Sequence, residues 1–342
     1  MGRKTKMTRI TSPEKMVLIN KNNIRLKDEF LMYLKSIQRS PGTITGYDSD
    51  LTILFTYILD NYDNKDFQQL SKRDLIGFQN WMVTNGNSSS RIRRVKSAIS
   101  SLSNYCENIL ADDDPDFDGF RSIVRKIENP PLQLVREKTV LEDDELGLLL
   151  DKLIEKKQYK KACCLALAMY SGRRKAELPR FRVEDFSDER LVCDGALYKS
   201  SPIQTKGRAG GKYLACYTLA KKFRPYLDLW MKDREEQGIE SEWLFPSATD
   251  TSKPMGISTL NSWAKTFSAI LQNDFYWHAM RHYYTTCLTR AGIPDGVIQS
   301  IVGWDSADMV KVYKDIDADE EIGMYFKDGD ISVPDRKGFG DI

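Results

Sequence analysis

Histidine and cysteine are scarce in this chain, and what is missing narrows its chemistry. Only two of the 342 residues are histidine and six are cysteine. The cysteines (Cys106, Cys163, Cys164, Cys193, Cys216, Cys287) show no Cys-x-x-Cys spacing and fall mostly within apolar stretches. That pattern argues against a disulfide framework or a zinc ribbon and for free thiols in a reducing compartment, which points to the cytoplasm. No apolar run approaches the ~20 residues needed to span a bilayer, so no membrane partner is expected. Met1 to Asn23 is basic and polar, without the apolar core of a secretion signal. There is no glycine-rich phosphate loop and no carboxylate motif with metal-ligand spacing, so neither a nucleotide, a metal nor another cofactor is expected.

Net charge is only +2, which by itself announces no polyanionic partner. The distribution is more informative. Residues 1–100 carry 17 Lys and Arg against 9 Asp and Glu. Arg3, Lys4, Lys6 and Arg9 crowd the first ten positions, and Arg91, Arg93, Arg94 and Lys96 form a second cluster. A basic N-terminal half suits a module that tracks phosphates; the competing reading of each cluster is a solvated charged face.

Apolar periodicity predicts helices over 24–38 and from Thr43 to Asn61, separated by Ser40-Pro41-Gly42. Ser71 reads as the N-cap of a third helix, and Ser89 or Ser90 starts a fourth that runs from Arg91 to about Leu110. The acidic, proline-punctuated stretch Asp112-Asp113-Asp114-Pro115-Asp116 is the best domain boundary; a short helix from Phe120 to Ile127 and Asn129-Pro130-Pro131 follow it. Beyond Lys138 come helices at Glu142–Lys156 and Tyr159–Tyr170, then three strand-like runs, Leu191–Tyr198, Pro202–Lys206 and Lys212–Thr218. Helices return at Leu219–Gln237, Ser258–Leu271, Trp277–Ala291, Pro294–Val302 and Ala307–Lys314. The expected fold is mainly α. It comprises a basic tail (1–23), a four-helix domain (24–112), a linker (113–137), a mostly helical domain with a small antiparallel sheet (138–328) and a C-terminal tail (329–342).

Both histidines lie in Trp277-His278-Ala279-Met280-Arg281-His282. His278 and His282 have the i,i+4 spacing of a helical metal pair, but Ala279 stands where a metalloprotease needs glutamate. Two half-buried histidines are a second reading. A third is an anion site, in which His278 and Arg281, three apart on one helical face, hold a phosphate together. Further on, Gly303-Trp304 precedes a helix start at Asp305-Ser306, and Tyr313 follows Ser306 by seven residues, about two helical turns. Upstream, Ser171-Gly172-Arg173-Arg174-Lys175-Ala176-Glu177-Leu178 ends an apolar helix in a cationic turn.

Taken together, these segments resemble the tyrosine recombinases, or phage integrases, from about residue 24 onward. The family's first signature is a small residue, Gly, any residue, Arg, two residues, then Glu-Leu. It puts the first arginine on Arg174 and its supporting acid on Glu177, although Arg173 stands where an apolar residue is usual. The second signature, His-x-x-Arg-His followed by Gly, Gly-Trp and Tyr, falls on His278, Arg281, His282, Gly292, Gly303-Trp304 and Tyr313. The hairpin lysine fits Lys206, with Lys199 and Lys212 flanking it.

The resemblance implies a DNA strand-transfer enzyme acting as a homotetramer on paired double-stranded sites, with a directionality factor as the accessory it leaves open. Tyr313 would attack the phosphodiester, and Arg174, Arg281, His278 and Trp304 would hold the phosphate. Lys206 would protonate the leaving oxygen. Glu177 and His282 would support them, and Arg91, Arg93, Arg94 and Lys96 would face DNA. Two rival activities share this residue set or its fold: DNA relaxation of the type IB topoisomerase kind, and a catalytically idle DNA-binding regulator.

Overall fold

The computed structural model describes residues 10–132, 141–205, 211–306, 308–313, 326–327 and 330–331. The described residues fall into two compact units, 10–132 and those from 141 onward.

The first unit is helical because its start signals are strong. Ser40 caps α3 (Pro41–Asn61) with proline at its first turn, following α1 (Pro13–Leu18) and α2 (Lys21–Ser36). Ser71 and Asp74 form a reciprocal capping box at α4 (Lys72–Thr84). Ser88, one residue earlier than expected, caps α5 (Ser89–Tyr105). A π-turn (Cys106–Leu110) leads from α5 into the one-turn α6 (Ala111–Asp113). The core is made of Phe30, Leu51, Phe55, Phe78, Val95 and Leu102 with their helical neighbours. The segment read as a basic tail therefore contains a helix at 13–18.

The helix expected at Phe120–Ile127 is absent; turns occupy 123–126. Its apolar side chains Phe120, Ile123 and Val124 nevertheless join the core, as does Phe117 before it. The backbone is held by other elements. Ile123 N–H donates to Ser103 Oγ (3.2 Å), Lys96 Nζ donates to the Ile127 carbonyl, and Gln79 Nε2 donates to that of Glu128 (3.1 Å). Cross-element partners replace the i→i−4 ladder, which the proline pair after Asn129 could not continue.

The second unit opens with α7 (Asp143–Glu155) and α8 (Tyr159–Ser171); every residue of α8 from Ala162 to Ser171 is buried. The three strand-like runs become five short strands. Positive φ at Cys193, Asp194 and Gly195 turns the first run back on itself. Hence β1 (Leu191–Val192) pairs with β2 (Leu197–Lys199), which pairs with β5 (Tyr217–Leu219), all antiparallel. β3 (Ile203–Gln204) and β4 (Tyr213–Leu214) form a separate antiparallel ribbon. Then come α9 (Ala220–Glu236), α10 (Ile257–Leu271), α11 (Trp277–Arg290), α12 (Asp295–Val302) and α13 (Asp308–Tyr313). A last ribbon pairs β6 (Phe326–Lys327) with β7 (Asp330–Ile331), within segments read as domain end and tail. Tyr284, Leu288, Ile298, Val302, Trp304 and Val310 pack α11, α12 and α13 into a small cluster of their own. None of the described helices is long and apolar enough to cross a membrane. All six cysteines are free, five of them buried and Cys193 exposed.

Candidate active site

The site is assembled where α8, α11 and α12 end or begin. At the end of α8, Gly172 takes a left-handed conformation (φ 60°, ψ 23°), and its N–H donates to the Ala168 carbonyl at 3.1 Å. A Cβ there would stand 2.5 Å from Cδ1 of the fully buried Tyr284, so glycine is required both by the backbone and by close packing.

The two arginines that follow separate. Arg173 is 2% exposed; its Nη2 donates to the Ile301 carbonyl at 2.6 Å and its Nε to that of Ser171 at 3.4 Å. Arg174 is partly exposed and pairs with the buried Glu177 twice, backbone N–H to Oε2 and Nη1 to Oε1, both at 3.1 Å. Glu177 thus sets the orientation of Arg174, and Arg173 ties α8 to α12.

Trp277 anchors the start of α11: its Nε1 donates to the Leu260 carbonyl at 2.7 Å, and its ring meets Phe275 edge-on. One turn on, Arg281 is fully buried. Its Nη1 donates to the Gly172 carbonyl (2.9 Å) and its Nη2 to that of Val302 (3.3 Å). Both carbonyls lie at helix C-termini, where a cation is favoured. The Arg281 guanidinium stands 4.8 Å from the centre of the Trp304 ring, a cation–π contact. Gly303, left-handed at φ 76°, ends α12 and delivers Trp304 to this position.

The rings of His278 and His282 are 5.6 Å apart and nearly perpendicular. Partial desolvation, then the neighbouring His282, Arg281 and Arg174, hold the His278 imidazole down at about 4. Its surface position leaves it reachable by a ligand. A neutral histidine beside two guanidiniums can accept a proton or donate a hydrogen bond to an anion. Among the described residues no group of three or more His, Cys, Asp and Glu side chains could hold a metal.

The structure therefore brings together Arg174, Glu177, His278, Arg281, His282 and Trp304. Tyr313 ends α13, one turn past the buried Val310, and its side chain lies outside the described residues, as does Lys206. Lys199 lies in β2, its ammonium 5.9 Å from the Tyr217 ring centre, and Lys212 is bonded to Asp305. Two neighbouring tyrosines are engaged elsewhere. Tyr284 is wedged against Gly172, and burial, Cys287 and a hydrogen bond to Asp143 push the Tyr283 phenol far above its ordinary range.

The basic cluster on α5 has internal partners. Arg91 Nη1 and Arg94 Nη2 both donate to Oδ1 of Asp50, at 2.5 and 2.7 Å, and Asp50 is wholly buried. Burial pushes the Asp50 carboxyl up to about 6 against the pull of Arg94. Arg93 donates to the Pro130 carbonyl (2.9 Å) and Lys96 to that of Ile127. Arg94 keeps half its side chain exposed. Sequence reasoning missed Asp50, although there was a signal: it stands in the i, i+4, i+8 stripe with Leu54 and Ile58, a carboxylate on a buried face. Asp305 was read only as part of a helix start, whereas α13 begins at Asp308; nothing local marks Lys212 as its partner.

Residues 139–320 match the phage integrase family, and residues 28–107 match the phage integrase N-terminal SAM-like domain. The chain thus belongs to the phage integrase family, the tyrosine recombinases, a class of enzymes that cleave and rejoin DNA. It is 32% identical over 229 residues to the SPbeta prophage-derived recombinase-like protein YomM of Bacillus subtilis, a match covering 67% of this chain and 66% of that protein. It is 25% identical to a tyrosine recombinase of Thermosipho africanus over 85% of this chain and 95% of the relative. Among solved structures, XerH site-specific recombinase bound to a palindromic difH substrate matches with a TM-score of 0.60 and 18% identity, over 81% of this chain and 77% of that one. A lambda integrase tetramer bound to a Holliday junction matches with a TM-score of 0.60 and 15% identity, over 89% of this chain and 81% of the other. These two likenesses establish the fold.

Proposed function

We propose that this protein is a site-specific DNA recombinase of a mobile element, cutting and rejoining strands through a 3′-phosphotyrosine on Tyr313. The observation that carries the reading is the convergence of Arg174 and Arg281 on His278, with the Trp304 ring against Arg281. Two guanidiniums, a neutral imidazole and an indole N–H make a set of donors suited to the non-bridging oxygens of a phosphodiester, where charge grows during attack. Arg174 rather than Arg173 fills the first arginine role, because Arg174 has the signature spacing to Glu177 and is braced by it, while Arg173 ties α8 to the end of α12. His278, neutral at physiological pH, accepts the Tyr313 proton or bonds the phosphate; His282 and Glu177 position their neighbours. Lys206 gives the leaving 5′-oxygen its proton. Arg94, with half its side chain exposed, contacts backbone phosphate, while Arg91, Arg93 and Lys96 brace α5. Four protomers act on two DNA sites in the cytoplasm, with recruitment of a directionality factor left to the element concerned.

The test is covalent capture. Incubated with a nicked duplex carrying its own attachment site, the protein should form an adduct that survives denaturing gel electrophoresis. Tyr313→Phe should keep binding, because one hydroxyl adds little to a phosphate-dominated surface, and should form no adduct. An adduct from Tyr313→Phe would move the nucleophile elsewhere. Relaxation of a plasmid lacking any target site would instead favour the topoisomerase reading.

A further inference from the structure

The β3–β4 ribbon is held by two residue pairs, Ile203 with Leu214 and Gln204 with Tyr213, too few to be rigid alone. Other bonds steady its base. The Thr205 N–H and hydroxyl both donate to the Lys212 carbonyl at 2.8 Å, and Arg180 donates to the Gln204 carbonyl. Its flank rests on the site itself. Leu214 packs so closely on Gly303 that a Cβ there would come within 2.7 Å of Leu214 Cδ1. Two residues before Leu214, Lys212 Nζ donates to Asp305 Oδ1 at 2.6 Å, joining positions 93 residues apart. Asp305 follows Trp304 directly, and Arg174 is near enough to help Lys212 hold its carboxyl below the usual range.

A carboxylate beside an anion-binding set is costly to function unless it does something there. Left unpaired, it would repel a phosphodiester; paired with Lys212, it is neutralised and ties the ribbon to Trp304. We infer that Asp305 is a positioning residue whose carboxylate clasps Lys212 and so registers the β3–β4 ribbon against Gly303-Trp304, beside Arg174 and Arg281. The inference rests on the proposed recombinase reading, in which Lys206, next in the chain to Thr205, supplies the leaving-group proton. Asp305 touches no reacting atom. As an exposed ion pair it contributes little to folding, and its effect is on geometry. A shift of about 1 Å in a proton donor can cost up to about a hundredfold in rate.

The experiment compares cleavage of an ordinary strand with cleavage of a strand bearing a 5′-bridging sulfur, which leaves without a proton. Asp305→Asn should cut the ordinary strand about two- to fivefold slower than the wild type, the most that loss of an exposed ion pair can shift the ribbon's register, and the sulfur strand at nearly the wild-type rate. Asp305→Glu should restore ordinary cleavage. Asp305→Asn combined with Lys212→Met should be no slower than the worse single variant, since both break one contact. Ordinary cleavage by Asp305→Asn at or above the wild-type rate would overturn the inference, showing a stray negative charge. So would a loss that sulfur does not restore. If the wild type itself forms no adduct, the recombinase reading fails first, and that outcome is distinguishable from these.

Discussion

Gly172→Ala tests the local geometry most directly. The residue sits at φ 60°, where an L side chain costs about 1–2 kcal/mol. Its Cβ would also stand 2.5 Å from Cδ1 and 3.1 Å from Cγ of Tyr284, which is fully buried and cannot swing away. Overpacking of that kind costs about 1–3 kcal/mol. The substitution should therefore destabilise the second unit by about 2–5 kcal/mol, a large part of the ~5–15 kcal/mol that a domain has. It should also tilt the Gly172 carbonyl away from Arg281 Nη1. The control is the same chemical change at Gly147, inside α7, where a Cβ meets nothing within 4 Å and φ is ordinary. Gly147→Ala should stabilise by about 0.5–1 kcal/mol, by reducing the freedom of the unfolded chain. Urea unfolding of the full chain, followed by tryptophan fluorescence and circular dichroism, should move the midpoint in opposite directions for the two variants. Equal midpoints, or a Gly172→Ala protein as stable as Gly147→Ala, would refute the argument.

Two further outcomes are expected. His278 should titrate near 4 in the DNA-free protein, read from its imidazole NMR signals, and Arg174→Gln should raise that midpoint. Because its folded pKa lies below the unfolded value of about 6.5, its contribution to stability is intact above 6.5 and is lost as pH falls toward 4; a midpoint at 6.5 or higher would contradict the reported geometry. Arg94→Ala, which leaves Arg91 on Asp50, should weaken DNA binding and lower the slope of log affinity against log salt by about 1. An unchanged slope would leave Arg94 as a brace for Asp50 alone.

Much of the architecture was legible in the residues. Serines 40 and 71 mark helix starts, apolar periodicity sets which face of α2 through α5 is buried, and glycines 172 and 303 stand where helices end. The order and spacing of Arg174, Glu177, His278, Arg281, Trp304 and Tyr313 were enough to suggest the family, because helix pitch and turn chemistry are local properties. What the local pattern does not hold is the identity of a polar partner far along the chain. Arg173 and Arg174 are chemically alike and adjacent; only the return of α12 past α8 gives Arg173 the Ile301 carbonyl, 128 residues away, and leaves Arg174 to Glu177. In the same way α3 packing on α5 turns Arg91 and Arg94 from a plain basic face into the two partners of a buried Asp50. The run at 212–218 divides between two sheets because its halves meet different strands, β3 and β2. Asp305 acquires Lys212 only once the ribbon folds onto Gly303. Sequence periodicity determines which side chains leave water, and the tertiary fold decides which donors and acceptors meet, because a buried polar group must take its partner from whatever element packs against it.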